Sequence, residues 1–370
     1  MTATSEQARL EACAGDLWEA AVAGDEYAAA DAVLGALDAG TAMEALLLEV
    51  VAPVQARVGR EWAANRITVA QEHTATAVNE RVLAALAHHP AARAAASAGD
   101  PAPGRITVAC IDGEWHAFPA RLLAEVLRLR GWQVDYLGAQ VPTPHLIAHL
   151  HRTAPDAVAL SSSIATRLPT AHAAITACQA TGTPVLVGGA AYGSDGRYAD
   201  LLGADAWAPD ARSAADLLES GPPPRPPAAR QAADHLPHLD DQEYALITRS
   251  SRQLVRHVMG ELEQRVPAMA AYTAQQRRHT AEDVAHIVDF LGAAVYLDDA
   301  DLFGGFLAWT AGILTARGVP ASTLSPTLDL LAGRLTEFPR AAGLLARARQ
   351  ALPEPADSPS PPVSHPGKTA

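Results

Sequence analysis

Ile106-Thr-Val-Ala-Cys-Ile111, followed at once by Asp112-Gly-Glu-Trp-His-Ala-Phe-Pro119, is an apolar run that breaks into a polar loop before the chain turns helical as far as Arg130. A run of this length without in-out alternation reads as a strand buried on both faces. The pattern recurs at Gln133 to Leu137, with a helix to His151, then at Ala157 to Ser161, at Pro184 to Val187 and in a short strand near Ala206. Five such strands alternating with helices predict a parallel sheet covered on both faces over residues 104–220, an α/β domain of flavodoxin or Rossmann-like type. Ligands of such sheets bind at the carboxyl ends of the strands. The residues after Ile111, Ser161 and Val187 therefore have the first claim on function.

Upstream the period changes. From about Ser5 to His89 apolar residues recur every three or four positions (Leu10, Leu17, Ala20, Ala21; Met43, Leu46, Leu47, Val50, Val51), which predicts a bundle of four or five helices over residues 1–98. Asp100 to Arg105 is dense in Pro and Gly and reads as a linker. Downstream, Gly221-Pro-Pro-Pro-Arg-Pro-Pro227 opens a stiff linker over 221–236. Residues 237–351 read as an all-α domain of about six helices, including Ala281 to Leu297, Leu302 to Arg317 and Ser322 to Leu335, with breaks at Pro267, Gly318 and Pro320. The Pro- and Ser-rich residues 352–370 read as a disordered tail.

Composition narrows the function classes. The 370 residues are 49% hydrophobic but only 5% aromatic, as in a helix-rich soluble protein with cores of small side chains. A net charge of -13 argues against direct DNA binding, which needs clustered Lys and Arg. Cys13, Cys110 and Cys178 are far apart, so neither a disulfide framework nor a zinc site is indicated. No signal peptide or membrane span is apparent, and a cytoplasmic location is expected. There is no Ser-His-Asp order, phosphate loop or acid pair, so no catalytic turnover is expected of the chain.

Glu114 stands two residues before His116 in the loop after the first strand. An imidazole there can ligate a metal in the crevice, and a nearby carboxylate fixes its tautomer and raises its basicity. The third strand runs into Ser161-Ser162-Ser163 and the fourth into Gly188-Gly189. A hydroxyl at that edge can bond a heterocycle nitrogen, and paired glycines admit a bulky ligand close to the backbone. With these residues in order, the stretch from Arg105 to about Ser220 resembles cobalamin-binding domains, whose signature is Asp/Glu-x-His-x-x-Gly, then Ser-x-Leu or Ser-x-Thr, then Gly-Gly. Pro119 stands where that signature has its first Gly, and Ser163 where it has Leu or Thr. The resemblance implies that His116 is the lower axial ligand of cobalt and Glu114 its partner. It also implies that Ser161 contacts the displaced dimethylbenzimidazole and that Gly188 and Gly189 floor its channel. Trp115, Ser163 and Tyr192 join the expected cobalamin contacts.

The bundle carries Trp62-Ala-Ala-Asn-Arg-Ile-Thr-Val-Ala-Gln-Glu72-His73. In one continuous helix Trp62 and His73 would stand about 16 Å apart, at roughly 1.5 Å per residue. Asn65 can end a first helix in a left-handed conformation, and Thr68-Val-Ala-Gln71 is a capping-box start for a second, so the three side chains can converge. A Trp, nine residues, then Glu-His resembles the CarH- and LitR-like adenosylcobalamin photoreceptors. In them the Trp covers the upper face of the corrin, and the Glu and His contact the adenosyl group. Those roles are carried to Trp62, Glu72 and His73. In that family a His beside the Trp can ligate cobalt after photolysis, and here the place is Ala63, so water or His73 is expected to fill it. The helix-turn-helix domain of those regulators is not expected, because the cap begins almost at Met1.

In the C-terminal segment Tyr272, Phe290, Tyr296, Phe303, Phe306 and Trp309 cluster in sequence with Arg277, Arg278, His279, Asp283 and His286. His279, Asp283 and His286 fall on one helical face, and such a set could hold a tetrapyrrole. The order of cap, cobalamin domain and globin-like helical domain resembles the photocobilins, which implies a biliverdin, here non-covalent because no Cys follows Cys178. Heme on His257 or His286 is the alternative. The leading expectation is a light sensor that loses the adenosyl group and changes its homo-oligomeric state. The alternatives are a corrinoid methyl-carrier protein of a methyltransferase system and a cobalamin sensor without photochemistry.

Overall fold

The computed structural model describes residues 3–97, 103–224 and 236–352. Most of the linker expected over 221–236 and nearly all of the tail expected over 352–370 lie outside them. The described residues form two compact units: those up to Leu246 together with Gly292–Asp298, and Ile247–Leu291 together with those from Asp299 onward.

The first unit opens with helices α1 (Ala3–Ala23), α2 (Glu26–Asp38) and α3 (Met43–Ala45). The last continues without a break through a π-helical turn, Leu46–Val51, into α4 (Ala52–Ala63); α5 (Val69–His88) and α6 (Pro90–Ser97) follow. Within the π turn Leu46, Leu47, Val50 and Val51 are all buried, so the widened turn keeps two adjacent apolar pairs facing the bundle. The break between α4 and α5 is built as the sequence predicts. Asn65 takes φ 57°, and Thr68 and Gln71 close the capping box, Thr68 Oγ1 accepting from the Gln71 amide at 3.2 Å and Gln71 Oε1 from the Thr68 amide at 3.0 Å. Arg66 grips Glu61 in a two-pronged ion pair across the same turn.

Five strands follow: β1 (Arg105–Cys110), β2 (Gln133–Gly138), β3 (Ala157–Ser161), β4 (Val185–Gly188) and β5 (Ala206–Ala208). Between them run α7 (Phe118–Leu129), α8 (Thr143–Thr153), α9 (Leu168–Ala180) and α10 (Arg197–Leu201), and α11 (Ala211–Glu219) closes the fold. All pairings are parallel, in the order β2-β1-β3-β4-β5. The chain reverses its direction of travel between β1 and β3, the crevice where open sheets of this order take their ligands. Register sets Cys110 against Ser161 and Ser161 against Gly188, so the ends of three strands lie at one level.

Cap and sheet share one hydrophobic core, with Leu17, Val50 and Leu83 from the cap and Val108, Val126 and Leu218 from the α/β part. Arg130 binds Glu44 at 2.8 Å and Glu219 at 3.1 Å, and Arg212 binds Glu49 at 2.9 Å. Glu44 and Glu49 lie on the segment that carries the π turn.

The C-terminal part holds α12 (Glu243–Arg265), α13 (Ala274–Leu297), α14 (Ala300–Ala316), α15 (Ser325–Arg334) and α16 (Pro339–Ala351). That is five α-helices among the described residues rather than about six, joined by short 3-10 turns at Pro267–Ala271 and Ala321–Leu324. α13 starts seven residues before the expected Ala281 because Thr273 and Gln276 form a second capping box, at 2.8 and 3.2 Å.

Candidate functional site

The loop between β1 and α7 turns at Gly113, whose φ of 75° suits glycine. It delivers Glu114 wholly buried into the crevice between β1 and β3. Glu114 Oε2 accepts the amides of Ser163 at 2.7 Å and Ile164 at 3.2 Å, and at 3.5 Å the Ser162 hydroxyl. Oε1 accepts the His116 amide at 2.9 Å and lies 2.6 Å from His116 Nδ1. Burial alone would raise the pKa of this carboxyl. The donors from His116 and Ser163 outweigh it and hold the group down at about 2, so it is ionised. An ionised Glu114 places the imidazole proton on Nδ1 and leaves the Nε2 lone pair free to ligate, with the side chain about one-third exposed.

Trp115 stacks on that imidazole, with centroids 4.0 Å apart. Cys110 lies behind it, buried, and burial with the Glu114 charge pushes its thiol up to about 12, so it offers no thiolate. Pro119 occupies the first turn of α7, where a missing amide hydrogen costs nothing. Among the described residues no group of three or more His, Cys, Asp or Glu is gathered for a metal. A single imidazole suits a cobalt that a macrocycle already holds on four sides.

Beside this pair a cleft of about 100 Å³ opens between the sheet, α7 and α11, lined by Ala120, Leu123, Ser161, Gly188, Gly189 and Ala211. Gly189 takes φ 104°, and a Cβ there would stand 2.2 Å from the Ser162 carbonyl oxygen. No other residue fits. Tyr192 follows the glycines in the 3-10 turn Ala190–Tyr192, fully buried, its hydroxyl without a hydrogen-bond partner. Ser163 is engaged through its amide to Glu114. The donor set, the cleft and the glycine-built approach fit a cobalamin, for which His116 would be the ligand and the cleft at the strand ends would have room.

In the cap, Trp62 lies in the last turn of α4, while Glu72 and His73 lie in the first turn of α5 across the Asn65 break. Glu72 Oε2 is bonded to His73 Nδ1, the same carboxylate-imidazole arrangement as in the sheet loop, but His73 is 69% exposed. Three residues behind it are not evident from motif reading. Thr76 Oγ1 donates to Glu72 Oε1 at 3.3 Å and accepts from Gln55 Nε2 at 2.9 Å, and Gln55 Oε1 accepts from the buried Asn79 at 2.8 Å. This chain ties α4 to α5 and supports Glu72 from within. The signal was there: Glu72, Thr76 and Asn79 fall at i, i+4 and i+7 on one helix face.

Residues 104–218 match a B12 binding domain family, and residues 14–87 match a second family described as a B12 binding domain. Cap and sheet together are a cobalamin-binding region. The chain is similar to the HTH-type transcriptional repressor CarH of Myxococcus xanthus, 34% identical over 166 residues, which is 44% of this chain and 51% of the repressor. The chain thus matches about half the length of that relative. Among solved structures, the monomethylamine corrinoid protein of Methanosarcina barkeri is 18% identical with a TM-score of 0.47, covering 55% of this chain and 95% of that one. A cobalamin-binding protein of Desulfitobacterium hafniense is 19% identical with a TM-score of 0.31, covering 57% and 97%.

In the second unit, Arg277 pairs with Glu263 at 2.6 Å and donates to the Met269 carbonyl oxygen. Arg278 and His286 are exposed on α13, and exposed His279 lies 3.1 Å from Glu282. Desolvation by its neighbours raises the Asp283 carboxyl, against the pull of His286 and His279. Phe290 stacks on Phe306 at 3.8 Å, and Trp309, 53% exposed, extends the aromatic row from α14. Among the described residues no helix is long and apolar enough to cross a membrane.

Proposed function

We propose that the chain is a light sensor, without catalytic turnover, whose cofactor is adenosylcobalamin. The observation that carries this reading is the break at Asn65, which sets Trp62 and the Glu72–His73 pair on either side of one short turn, in the same unit as Glu114–His116. A methyl carrier has to leave its upper face open to a partner enzyme, whereas an aromatic lid with a polar pair is suited to retaining an adenosyl group. Similarity to the CarH repressor over the cap and sheet supports the same choice.

When bound, adenosylcobalamin supplies a cobalt-carbon bond that light can cleave. The chain's residues divide the remaining work. Glu114 holds the proton on His116 Nδ1 and keeps Nε2 available as the lower ligand; Ser161, Gly188 and Gly189 seat the tail; Trp62 excludes water above; Glu72 and His73 meet the polar edge of the adenosyl group. Trp62 would pack against the adenosyl group, and a cap without that support would relax to a second arrangement that alters self-association. Ala63 provides no imidazole for the vacated side, leaving water or His73. We include a non-covalent biliverdin in the proposal, held in the globin-like C-terminal unit by the aromatic row with Arg277, Arg278, His279, Asp283, His286 and Trp309.

The test is the absorption spectrum and the size-exclusion profile of the full chain loaded with adenosylcobalamin and biliverdin, in the dark and after green light. The spectrum and the elution volume should both change. A cobalamin spectrum untouched by light overturns the sensor, and the lack of a red-absorbing band overturns the bilin.

A further inference from the structure

We propose that Trp115 is a positioning residue for the cobalt ligand: its indole, stacked on His116, fixes the rotation of the imidazole whose Nε2 faces the metal. This rests on the cobalamin reading and deepens it.

Trp115 and His116 have ring centroids 4.0 Å apart and planes inclined by 30°. The indole is nonetheless 57% exposed, an unusual position for the largest apolar side chain. The Ala117 amide donates to the Trp115 carbonyl oxygen at 2.8 Å and closes a tight turn centred on His116, which sets the two neighbouring rings side by side.

Glu114 fixes only one point of the imidazole. A single bond at Nδ1 lets the ring rock about that bond, and a ligand whose lone pair must aim at one atom needs a second constraint. On the buried side of the loop Cys110 Sγ meets the His116 carbonyl oxygen, at 3.7 Å, and not its ring. The stacked indole supplies that second constraint from the exposed side. A macrocycle held at Nε2 would lie against the exposed indole, which would then be covered in the loaded protein and would keep water from the His116 imidazole.

The experiment uses the full chain, its histidines labelled with nitrogen-15, loaded with cob(II)alamin, whose electron paramagnetic resonance lines split in two when a labelled axial histidine is bound and in three when the cofactor's own benzimidazole is. Trp115→Ala should lower the ratio of histidine-ligated to unligated cofactor about three- to tenfold, the effect of one aromatic pair. Trp115→Phe should restore most of it, and Trp115→Leu, apolar but not aromatic, should not. In the cofactor-free protein the His116 ring protons should show an upfield ring-current shift in wild type and Trp115→Phe only. An unchanged ligation ratio in Trp115→Ala, or rescue by Leu equal to that by Phe, overturns the proposal. A wild-type protein that binds no cobalamin, or binds it without the twofold splitting of a labelled histidine, overturns the cobalamin reading instead, while the ring-current shift still reports the stacking.

Discussion

Two carboxylate-imidazole pairs belong to the candidate site, Glu114 with His116 and Glu72 with His73, and they differ in everything except the contact. Glu114 is wholly buried and receives the amides of His116, Ser163 and Ile164, so its position is fixed by two loops at the crevice of the sheet. Glu72 sits in the first turn of a helix, supported by one long bond from Thr76, beside an imidazole mostly in water. A buried charge persists only where every lone pair is answered, whereas an exposed one contributes little to stability and is free to change partners. The lower pair has the construction of a permanent mount and the upper pair that of a contact that can be released.

The contrast can be broken at several points. Gly189→Ala should be the most damaging change, since the position combines a left-handed φ with a backbone oxygen in the way of any Cβ. A loss of about 4 kcal/mol in a urea titration is expected, from strain plus overpacking. Glu114→Gln keeps the shape but turns an acceptor toward a donor, and should cost about 3 kcal/mol by the same measurement.

The acid limb sharpens the same point. Glu114 is held down at about 2, below the usual glutamate range, so its contribution is fully present above that range and is lost as pH falls from there toward 2. The wild-type urea midpoint should therefore decline between about pH 4.5 and pH 2 by the equivalent of about 3 kcal/mol, and Glu114→Gln should flatten that decline. In the cap, Thr68→Ala removes the capping box and should cost about 1 kcal/mol. Glu72→Gln should change stability by less than about 0.5 kcal/mol. A loss for Glu72→Gln as large as that for Glu114→Gln would erase the distinction between the pairs.

Much of this was legible in the chain. Apolar runs bounded by loops give strands wherever both faces are covered, so all five strands fall within a residue or two of their expected places. Asn65 and the Thr68–Gln71 box likewise state a local break in local chemistry. The second box, Thr273 with Gln276, was equally readable and lengthens α13 by the turns that its apolar period alone did not announce. What the sequence could not display was convergence across long separations. The Ser163 and Ile164 amides reach Glu114 from some fifty residues away, and their role belongs to the backbone, which carries no residue identity. Gln55 was hidden for a related reason: it is an ordinary polar residue until the packing of two helices makes it the partner of Thr76 and Asn79. The stacking of Trp115 on its neighbour depends on a loop conformation that no periodicity encodes.

The bonds around Glu114 have a kinetic consequence. They are all made within the chain, so under the proposed reading the socket for the lower ligand is finished when folding is finished, and loading is docking rather than coupled folding. No ordering entropy is then charged against binding on that side. Cobalamins that share a lower face and differ above it should accordingly enter at similar rates and be told apart by how long they stay.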